Sequence, residues 1–548
     1  MFDGITLEIL WRRLITIMDE VDAAVVRTSF STIVGESRDF ACIMLDAQGR
    51  SIAQSQLSST AFTVTLPRTA KAMLRAFPPE TLAEGDVLLT NDPWIGSGHL
   101  PDLNVLTPVF HRGCLVAFIG AVAHVSDVGG RIDYFDSRDL FEEGLRLMPC
   151  KAFEGGRPNP LVHQIIGANS RAPDLVIGDL FALAGAEVMG VAKLKEMLED
   201  YGMDDLDALG EAIRSSSEAA MREAISALPD GTYRGEVPAD GYRRPVRIAV
   251  AVTIAGDTVT MDFAGSSPAL PDCSVNCPYT TTFADSYYPL KCSLAPEIPN
   301  NEGLFAPLVV LAPEGSVLNV QFPTAVRARS KVSFHIHAAV YQALAEAMPD
   351  AVQAGSGSFW SFVAYGTDRS GRRFRAHYLP NGGKGAVAGM DGLPTIAFPY
   401  NGTATPSEIL ENAAPIVVWE KSLLADSGGP GQWRGGQGQR IVISPLRDES
   451  VEIFLRPDKV AHPAPGILGG RPGRPGRWVV AGKESVPPPF RLEPGERLEI
   501  EMPGGGGCGP PERRDRERVK TDVQEGRVTE QAAISSQDAL GRSRQEAR

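Results

Sequence analysis

The sequence has no excess of basic residues. Its 548 residues include 53 Lys and Arg against 67 Asp and Glu, which gives a formal net charge of −14 at pH 7. An acidic chain of this kind is repelled by phosphate backbones and by anionic lipid surfaces. The charge balance therefore argues against nucleic acid or an acidic membrane as the main partner, although it leaves the fold open.

Cysteine is scarce and scattered. Only Cys273 and Cys277 lie close together, and no second cysteine pair or nearby histidine completes a structural zinc motif. An odd number of cysteines in a long chain is also unlike the disulfide framework of a small secreted domain. We expect thiols in core or loop positions at all seven cysteines: Cys42, Cys114, Cys150, Cys273, Cys277, Cys292 and Cys508.

Long hydrophobic runs are missing as well. The N-terminal stretch MFDGITLEILWRRLITIMDE has charges among its apolar residues and lacks the basic and apolar regions of a signal peptide. No uncharged run reaches the length that a membrane span needs. The sequence therefore predicts a cytoplasmic protein.

No phosphate-binding loop can be recognised. The segment NGGKGA has neither the spacing nor the hydroxyl of a G-x-x-x-x-G-K-[ST] loop, and no G-x-G-x-x-G lies between a clear strand and a helix. We interpret the glycine-rich segments of the C-terminal third as tight turns between short strands. If the function requires a nucleotide, it must be bound elsewhere.

The remaining composition is that of a soluble globular protein, with 43% hydrophobic and 22% charged residues. Apolar residues at spacings of three and four predict a helix from about residue 5 to residue 28. Helical spacing dominates again from 173 to 227, and strand-like runs punctuated by Gly and Pro begin near residue 230.

These patterns predict an α+β fold of several domains, with a helix-rich N-terminal half and a β-rich, Gly/Pro-punctuated C-terminal half. We expect an α/β region with a helical segment over residues 1–230 and a β-rich region over 231–510. A short charged helix is expected over 511–535 and a disordered tail over 536–548.

The stretch NDPWIGSGHLPDLNV concentrates polar side chains among glycines and prolines. It contains His99 and Asp102, and His124 follows at the end of the strand-like run CLVAFIGAVAH. Two neutral imidazoles and one carboxylate suit a divalent transition metal. The spacing alone also fits a capped turn, an Asx-type hydrogen bond and a core histidine, so the residues by themselves leave both interpretations open.

Many longer motifs, in a consistent order, resolve this choice. They are ITLEILWRRL, ESRDFACIMLD, NDPWIGSGHLPDLNV, AHVSDVGG, FEEGLRLMPCK, DFAGSSP, DSGGPGQWRGGQG and PGGGGCGPP. With these motifs the chain resembles the B subunits of the hydantoinase/5-oxoprolinase family, which are related to one subunit of acetone carboxylase. The resemblance extends from about residue 3 to residue 535.

The resemblance implies that the α/β region over residues 1–230 holds a divalent metal through His99, Asp102 and His124. Asp39 is the least certain member of this site. It is expected either as a fourth ligand or as a general base for the attacking water, and a salt bridge to Arg38 or a strand-end cap is the structural alternative. The ligand types fit Mn, Fe or Zn without selecting one of them.

Further polar residues match motifs of the family. Asp92 is a candidate site residue, although a turn-forming role before Pro93 is its leading alternative. Asp127 is a candidate hydrogen-bond acceptor for a ligand imidazole. The remaining candidates for binding a carboxylate or amide of the substrate, with surface pairing as the alternative, are Glu143, Arg146, Asn169 and Arg171.

The resemblance also implies a division of labour between subunits. An actin-like ATPase of the hydantoinase A type would phosphorylate the carbonyl oxygen of a cyclic amide, and this chain would then open the ring, in a heterotetramer or a larger assembly. The substrate would be a hydantoin, 5-oxoproline or a related lactam. Two alternatives remain open: a subunit of an ATP-dependent ketone carboxylase, and a scaffold subunit with a structural metal.

Overall fold

The computed structural model describes residues 2–396, 398–400 and 402–534. The predicted tail over 536–548 lies outside the described residues. The helices occupy both halves of the chain: α1 Gly4–Thr28, α2 Thr32–Gly35, α3 Thr60–Ala76, α4 Pro160–Asn169, α5 Pro173–Asp200, α6 Asp207–Ser226, α7 Tyr279–Leu294, α8 Ser330–Ser333, α9 Ile336–Leu344, α10 Ser407–Ala413 and α11 Arg516–Gln524.

The strands are also found in both halves: β1 Phe40–Asp46, β2 Ser51–Gln54, β3 Val87–Thr90, β4 Asp102–His111, β5 Cys114–His124, β6 Cys150–Glu154, β7 Arg157–Pro158, β8 Gly231–Ala239, β9 Val246–Ala255, β10 Thr258–Asp262, β11 Leu308–Leu311, β12 Ser361–Thr367, β13 Arg373–Tyr378, β14 Ile416–Leu423, β15 Gln439–Pro445, β16 Val451–Arg456, β17 Arg477–Val480, β18 Lys483–Glu484, β19 Phe490–Leu492 and β20 Leu498–Glu501. Together they form the α+β fold of several parts that the sequence predicts.

The chain divides into two compact units. Unit 1 contains the residues up to Thr232, the segment Thr253–Ser333 and a short piece at Tyr400–Gly402, and unit 2 contains the remainder. The first division follows Thr232, near the boundary that the sequence places at residue 230, and the predicted domain limits remain predictions. The sequence did not predict that Thr253–Ser333 returns to unit 1, because the strand signals there resemble those of the rest of the C-terminal half.

Unit 1 is built on a seven-stranded antiparallel sheet with the order β2-β1-β5-β4-β3-β6-β7. Strands β3 and β5 both run antiparallel to β4, which lies between them. Their C-terminal ends therefore meet the N-terminal end of β4 at one edge of the sheet. This edge carries the polar residues that follow β3, begin β4 and end β5.

Helices cover both faces of this sheet, so its strands are buried on each side. One face packs on α3 through Ala41, Ile43 and Phe118 in a shared apolar cluster. On the other face α1 and α5 pack closely, since a side chain at Gly190 would approach Val21 of α1 and Ile119 of β5. The sheet edge with the polar residues is thus supported by a rigid, close-packed core.

Helix α5 is long and apolar enough to be compared with a membrane span. By length and composition it could cross a membrane, and 56% of its most apolar window is buried inside the protein. Core helices of soluble proteins show the same pattern, since apolar residues all round a helix also suit a buried position. The burial of Leu180, Leu183 and Leu194 fits that role.

Unit 2 contains two antiparallel sheets that share one apolar core. Their strand orders are β13-β12-β16-β19 and β14-β15-β20-β17-β18. Alternate residues of both sheets enter this core, for example Phe362 of β12, Ile453 of β16 and Ile500 of β20. The arrangement is a sheet-on-sheet packing of the kind that period-two hydrophobic patterns favour.

The glycine-rich segments of unit 2 form a bundle of extended chains around the segment Pro503–Cys508. Amides of Gly504 and Gly507 donate to the carbonyls of Arg474 and Arg471. Both donors and both acceptors are three residues apart along the chain. This repeat indicates a threefold extended helix of the polyproline type, whose neighbours satisfy its hydrogen bonds.

The same threefold repeat appears on a second side of the central segment, and it explains the glycines. Gly505 and Cys508 donate to Gly436 and Trp433, while Gly506 donates to Gly355. A side chain at Gly504, Gly505, Gly506 or Gly507 would overlap a backbone carbonyl of a neighbouring segment. Gly428, Gly435 and Gly436 in the segment DSGGPGQWRGGQGQ are packed in the same way, against nearby backbone carbonyls. The prediction of tight turns is therefore wrong for these three positions: glycine is needed because chains pack too closely for a Cβ atom.

The C-terminal end of the described chain contains a 3-10 turn and helix α11. The predicted charged helix over 511–535 is interrupted in the structure: a 3-10 turn at Pro511–Arg513 precedes α11 at Arg516–Gln524, and residues 530–534 are helical again. Asp515 caps α11 by accepting hydrogen bonds from the amides of Glu517 and Arg518.

Candidate metal centre

The three predicted ligands meet at the polar edge of the unit 1 sheet. Asp102 is the first residue of β4 and His124 is the last residue of β5, and the strand register places them directly opposite each other. His99 lies three residues before Asp102, in the loop that joins β3 to β4. The antiparallel pairing thus converts a separation of more than twenty residues into direct contact.

The β3–β4 loop is held in place by side chains from several elements. The amide group of Asn91 donates to the carbonyls of Leu100 and Leu145, at 2.8 and 2.9 Å. Gly98 has a φ of +95°, which glycine adopts without strain, and a side chain there would overlap Thr281 Oγ1. The loop is therefore an ordered support for His99.

The ligand atoms converge on one point. His99 Nε2 lies 2.8 Å from Asp102 Oδ1, His124 Nδ1 lies 3.0 Å from the same oxygen, and the two nitrogens are 3.2 Å apart. Ligand atoms at right angles around a cation about 2.1 Å away would be separated by about 3.0 Å. The separations and the donor types therefore fit a divalent cation on this face.

Burial and charge prepare these groups to act as ligands. Burial lowers the pKa of His99 to about 3, with a further contribution from the positive charge of Arg329, so this imidazole is neutral at pH 7. Burial raises the pKa of Asp102, but His99 and Arg329 outweigh that effect and hold it well below its usual value. Neutral imidazole and ionised carboxylate are the forms that bind metals.

Arg329 is a member of the site that the sequence did not predict. Its Nη2 donates to Asp102 Oδ2 at 2.9 Å, and its Nε donates to the carbonyl of Ser97 at 2.9 Å. Asp102 therefore points Oδ1 toward the histidines while Oδ2 is held by the guanidinium. Arg329 lies more than 220 residues beyond the motif, and no local pattern around it points to this contact.

Two groups contact Nδ1 of His99, and the tautomer of the ring decides which of them forms the hydrogen bond. His99 Nδ1 lies 3.0 Å from this oxygen and 2.9 Å from Arg329 Nη1, and one ring nitrogen cannot both donate and accept. When Nε2 binds a metal, the proton belongs on Nδ1, which then donates to the Arg327 carbonyl. With the proton on Nε2 instead, Nδ1 accepts a hydrogen bond from Arg329 Nη1.

Glu143 holds the segment that carries these groups. Its fully buried carboxylate accepts from the amides of Val326 and Arg327, at distances of 2.8 to 3.1 Å. Burial raises the pKa of Glu143 to about 8, against the opposing effect of those two amides. Through these contacts Glu143 positions the segment that carries Arg327. Its candidate role in binding a substrate, with surface pairing as the alternative, remains a prediction.

Asp39 lies next to the triad, immediately before β1. Its backbone carbonyl accepts from the amide of His124 at 3.0 Å, and the residue is buried. Arg38, the alternative partner considered for it, forms its ion pair with Asp22. The role of the Asp39 carboxylate as ligand or base remains a prediction.

Tyr400 is a second residue that the sequence missed. Its hydroxyl donates to the carbonyl of Ser37 at 3.4 Å, which places it beside the Ser37–Asp39 turn. Burial raises the pKa of Tyr400, and the negative charges of Asp39 and Asp102 raise it further. A neutral phenol thus lies close to both carboxylates. No sequence motif links this position to the NDPW loop.

The other predicted site residues pair with each other. Asp92 accepts from Arg146 Nε at 2.8 Å and from the amide of Trp94 at 2.9 Å, which is the turn-forming bond considered for it. Asp127 accepts from Arg171 Nη1 at 3.0 Å. These two ion pairs brace the loops beside the triad, and their roles toward a substrate remain predictions.

Asn169 lies apart from these pairs. It is exposed at the end of α4, where its side-chain amide donates to the carbonyl of Ile165 at 2.8 Å. Nothing in this contact points to a substrate, and the bond is the local side-chain-to-backbone type that Asn often forms near helix ends.

Comparison with known proteins gives consistent similarities along the chain. The family model described as Hydantoinase B/oxoprolinase matches residues 3–511. The B subunit of a putative D-/L-hydantoinase from Pseudomonas sp. (strain NS671) is 30% identical over 560 residues, which cover 97% of this chain and 94% of the relative. The family model therefore includes the residues of the candidate metal centre and most of unit 2.

Solved structures share the fold. The crystal structure of the ATP-dependent caprolactamase from Pseudomonas jessenii superposes with a TM-score of 0.88 at 28% identity, covering 97% of this chain and 95% of that one. The nucleotide-free structure of acetone carboxylase superposes with a TM-score of 0.84 at 20% identity, covering 97% of this chain and 79% of that one. The second similarity concerns the fold alone.

Proposed function

The chain belongs to the hydantoinase B/oxoprolinase family, and from this premise we propose that it is the metal-dependent subunit that opens a cyclic amide such as a hydantoin, 5-oxoproline or a related lactam. The observation that carries the proposal is the convergence of His99 Nε2, Asp102 Oδ1 and His124 Nδ1 within 3.2 Å of one another. We place this activity in the cytoplasm, in complex with a second subunit.

His99, Asp102 and His124 would hold one divalent metal, either Mn, Fe or Zn. When bound there, such an ion supplies a Lewis acid and lowers the pKa of water. The chain contributes the supports of this site: Arg329 orients Asp102, the Arg327 carbonyl would accept from His99 Nδ1 when Nε2 binds the metal, and Glu143 holds the backbone at Val326 and Arg327. Each support acts at a stated atom, so each can be tested by substitution.

Asp39 and Tyr400 are the groups placed to move protons. A carboxylate that is buried beside the triad can accept a proton from the attacking water. The Tyr400 phenol is kept neutral by burial, and by exchanging its bond to the Ser37 carbonyl it would donate a hydrogen bond to an oxygen or nitrogen of the opening ring. We assign Asp39 as the base or as a fourth ligand, and Tyr400 as a hydrogen-bond donor.

The chemistry explains why a second subunit would be needed. A lactam carbonyl is stabilised by resonance, and phosphorylation of its oxygen turns the ring carbon into a better electrophile. Because the described part of this chain shows no phosphate-cradling loop of the known types, we assign ATP use to an actin-like ATPase subunit. The solved relative named as an ATP-dependent caprolactamase supports this assignment.

The test is reconstitution with the partner. The chain is co-expressed with an actin-like ATPase of the hydantoinase A type, and ring opening of hydantoin, 5-oxoproline and caprolactam is followed with and without ATP. We expect ATP-dependent opening of at least one ring, and loss of that activity in His124→Ala. His163→Gln is the matched control, because His163 lies on α4 and contacts Ala152 away from the triad.

Two results would contradict the proposal. ATP-dependent carboxylation of a ketone without any ring opening would indicate that the chain serves a ketone carboxylase. Ring opening that survives in His124→Ala, although the variant has lost its metal, would indicate that the metal is structural and that the chemistry belongs to the partner.

A further inference from the structure

A cavity of about 520 Å³ lies in unit 1 beside the loop that carries His99. Its walls come from α3, α7, the 3-10 turn Glu302–Phe305 and the loop residues Trp94 and Ile95. Its volume is typical of small-molecule sites, which range from about 300 to 1,000 Å³. None of the metal-centre residues described above lines it, so the cavity is a separate feature.

The cavity is positively charged in an acidic protein. Arg68, Lys71 and Arg75 line it, and their spacing of three and four residues places them on one face of α3. Glu302 forms an ion pair with Lys71. Among the residues that the structure describes, no carboxylate forms an ion pair with Arg68 or Arg75, so the cavity carries an excess of two positive charges.

Aromatic rings hold one of these cations and line the remaining wall. The Arg68 guanidinium lies over the rings of Tyr279 and Phe283, with its carbon 5.4 and 5.1 Å from the ring centres. A guanidinium stacked on rings keeps its in-plane N–H groups available for an oxyanion. Trp94 and Phe305 add flat apolar surface to the same cavity.

We propose that this cavity binds a phosphate monoester that carries a flat ring. Arg68 and Arg75 would bind the phosphate through charge-assisted hydrogen bonds, and the rings of Trp94, Phe283 and Phe305 would contact the planar body. A nucleotide and a small cyclic phosphate ester share this chemistry. The proposal does not rest on the proposed function, because it concerns binding at a site outside the metal centre.

The cavity also adjoins the support of the metal centre. Thr280 donates to the carbonyl of Pro93 at 3.2 Å, and Thr69 donates to the carbonyl of Ile95 at 2.7 Å. Both acceptors lie in the loop that continues to His99. A ligand against Trp94 and Ile95 therefore contacts the same ordered loop from its other side.

The experiment measures binding to the purified full chain by calorimetry and by quenching of tryptophan fluorescence. AMP, phenyl phosphate and inorganic phosphate are titrated separately into the wild type, into Arg68→Gln/Arg75→Gln and into Trp94→Phe. The matched control is Arg12→Gln/Arg222→Gln, which removes two positive charges from exposed helix pairs with Glu8 and Glu218. Metal content and thermal unfolding are recorded for every variant.

We expect AMP or phenyl phosphate to saturate one site, at least about tenfold more tightly than inorganic phosphate. Arg68→Gln/Arg75→Gln should weaken that binding at least about tenfold, while the control and the metal content stay unchanged. Tighter binding of AMP identifies a nucleotide site, and tighter binding of phenyl phosphate identifies a site for a smaller ring ester. Trp94→Phe should remove most of the fluorescence change.

Three results would overturn the proposal. The first is no saturable binding of either ester, and the second is binding no tighter than that of inorganic phosphate. The third is that the cavity variant and the control variant bind the esters equally weakly. The loss of binding would then follow from the change in net charge and not from the cavity.

Discussion

Loss of either imidazole from the triad removes one of three converging ligand atoms. His99→Ala and His124→Ala are therefore expected to release most of the bound divalent metal, which we expect at about one ion per chain in the wild type. Metal content is measured by mass spectrometry on purified protein, with His163→Gln as the control that keeps its metal. Full retention in both alanine variants would remove the triad from the metal site.

Asp39→Asn separates the possible roles of this carboxylate. If Asp39 is a base, metal and fold should remain while ring opening falls about a hundredfold or more. If it is a ligand, metal binding should weaken first, and excess metal should partly restore activity. The assay uses the reconstituted complex, with metal content measured on the same preparation. Normal activity with normal metal would exclude Asp39 from the site.

Glu143 makes the stability of unit 1 depend on pH. Its pKa of about 8 in the folded protein exceeds the ordinary 4.5, so the folded state holds this proton more tightly than the unfolded state. The stabilising contribution is complete below about pH 4.5 and is lost as pH rises through 8. We expect Glu143→Gln to unfold thermally with a smaller decrease in midpoint from pH 5 to pH 8 than the wild type.

The control for this effect is Glu142→Gln, since Glu142 is the neighbouring residue and pairs with Arg138 near the surface. It should keep the wild-type dependence over this range, because its pKa is lowered from 4.5 by Arg138 and it is already ionised there. If the thermal midpoints of Glu143→Gln and the wild type changed with pH in parallel, the raised pKa of Glu143 would not be the cause of the pH dependence.

At the scale of elements, the β3–β4 loop can be tested through two glycines that share a left-handed backbone. Gly98 has a φ of +95° and no room for a Cβ atom, whereas Gly113, in the turn between β4 and β5, has a φ of +82° and open space around it. Gly98→Ala should reduce metal content and thermal stability more than Gly113→Ala, because only the first also overlaps Thr281. If both variants lost metal and thermal stability to the same extent, backbone strain alone would explain the losses.

The elements also indicate what a sequence can predict. The period of α1 and the antiparallel turn between β1 and β2 are local, so hydrophobic spacing and a D-x-x-G turn identify them. Asp102 and His124 are brought together by the pairing of β4 with β5, which hydrophobic spacing does not give. The spacing of these residues left both a metal site and a capped turn possible. The resemblance to a family favoured the metal site.

Contacts between residues far apart in the chain could not be predicted from local sequence patterns. Arg329 reaches Asp102 across 227 residues of chain, and its only local signature is an alternation of arginines that also suits a surface loop. The prediction of tight turns in the glycine-rich segments failed for a different reason. Glycine usually marks a turn because it adopts positive φ, but Gly428, Gly435 and Gly436 are absent from the positive-φ glycines, and they are needed for close packing.

At the scale of the whole molecule, the glycine bundle is expected to decide whether unit 2 folds. A methyl group at Gly506 would overlap the carbonyl of Pro465, so Gly506→Ala should prevent closure of the bundle and lower the yield of soluble protein. Gly482→Ala is the control, because Gly482 lies in an open hairpin turn with a φ of +78°. Protease resistance of unit 2 reports the outcome, and a resistant Gly506→Ala would contradict this account.

The central position of Pro503–Cys508 in this bundle has a consequence for biosynthesis. The ribosome makes the surrounding segments first, since those at Gly355, Gly383, Gly436 and Gly466 all precede it in the chain. At about 5 to 20 residues per second, the nascent chain waits roughly 8 to 30 s between Gly355 and the central segment. The hydrogen bonds that join these segments to Pro503–Cys508 can therefore form only after most of unit 2 has been translated.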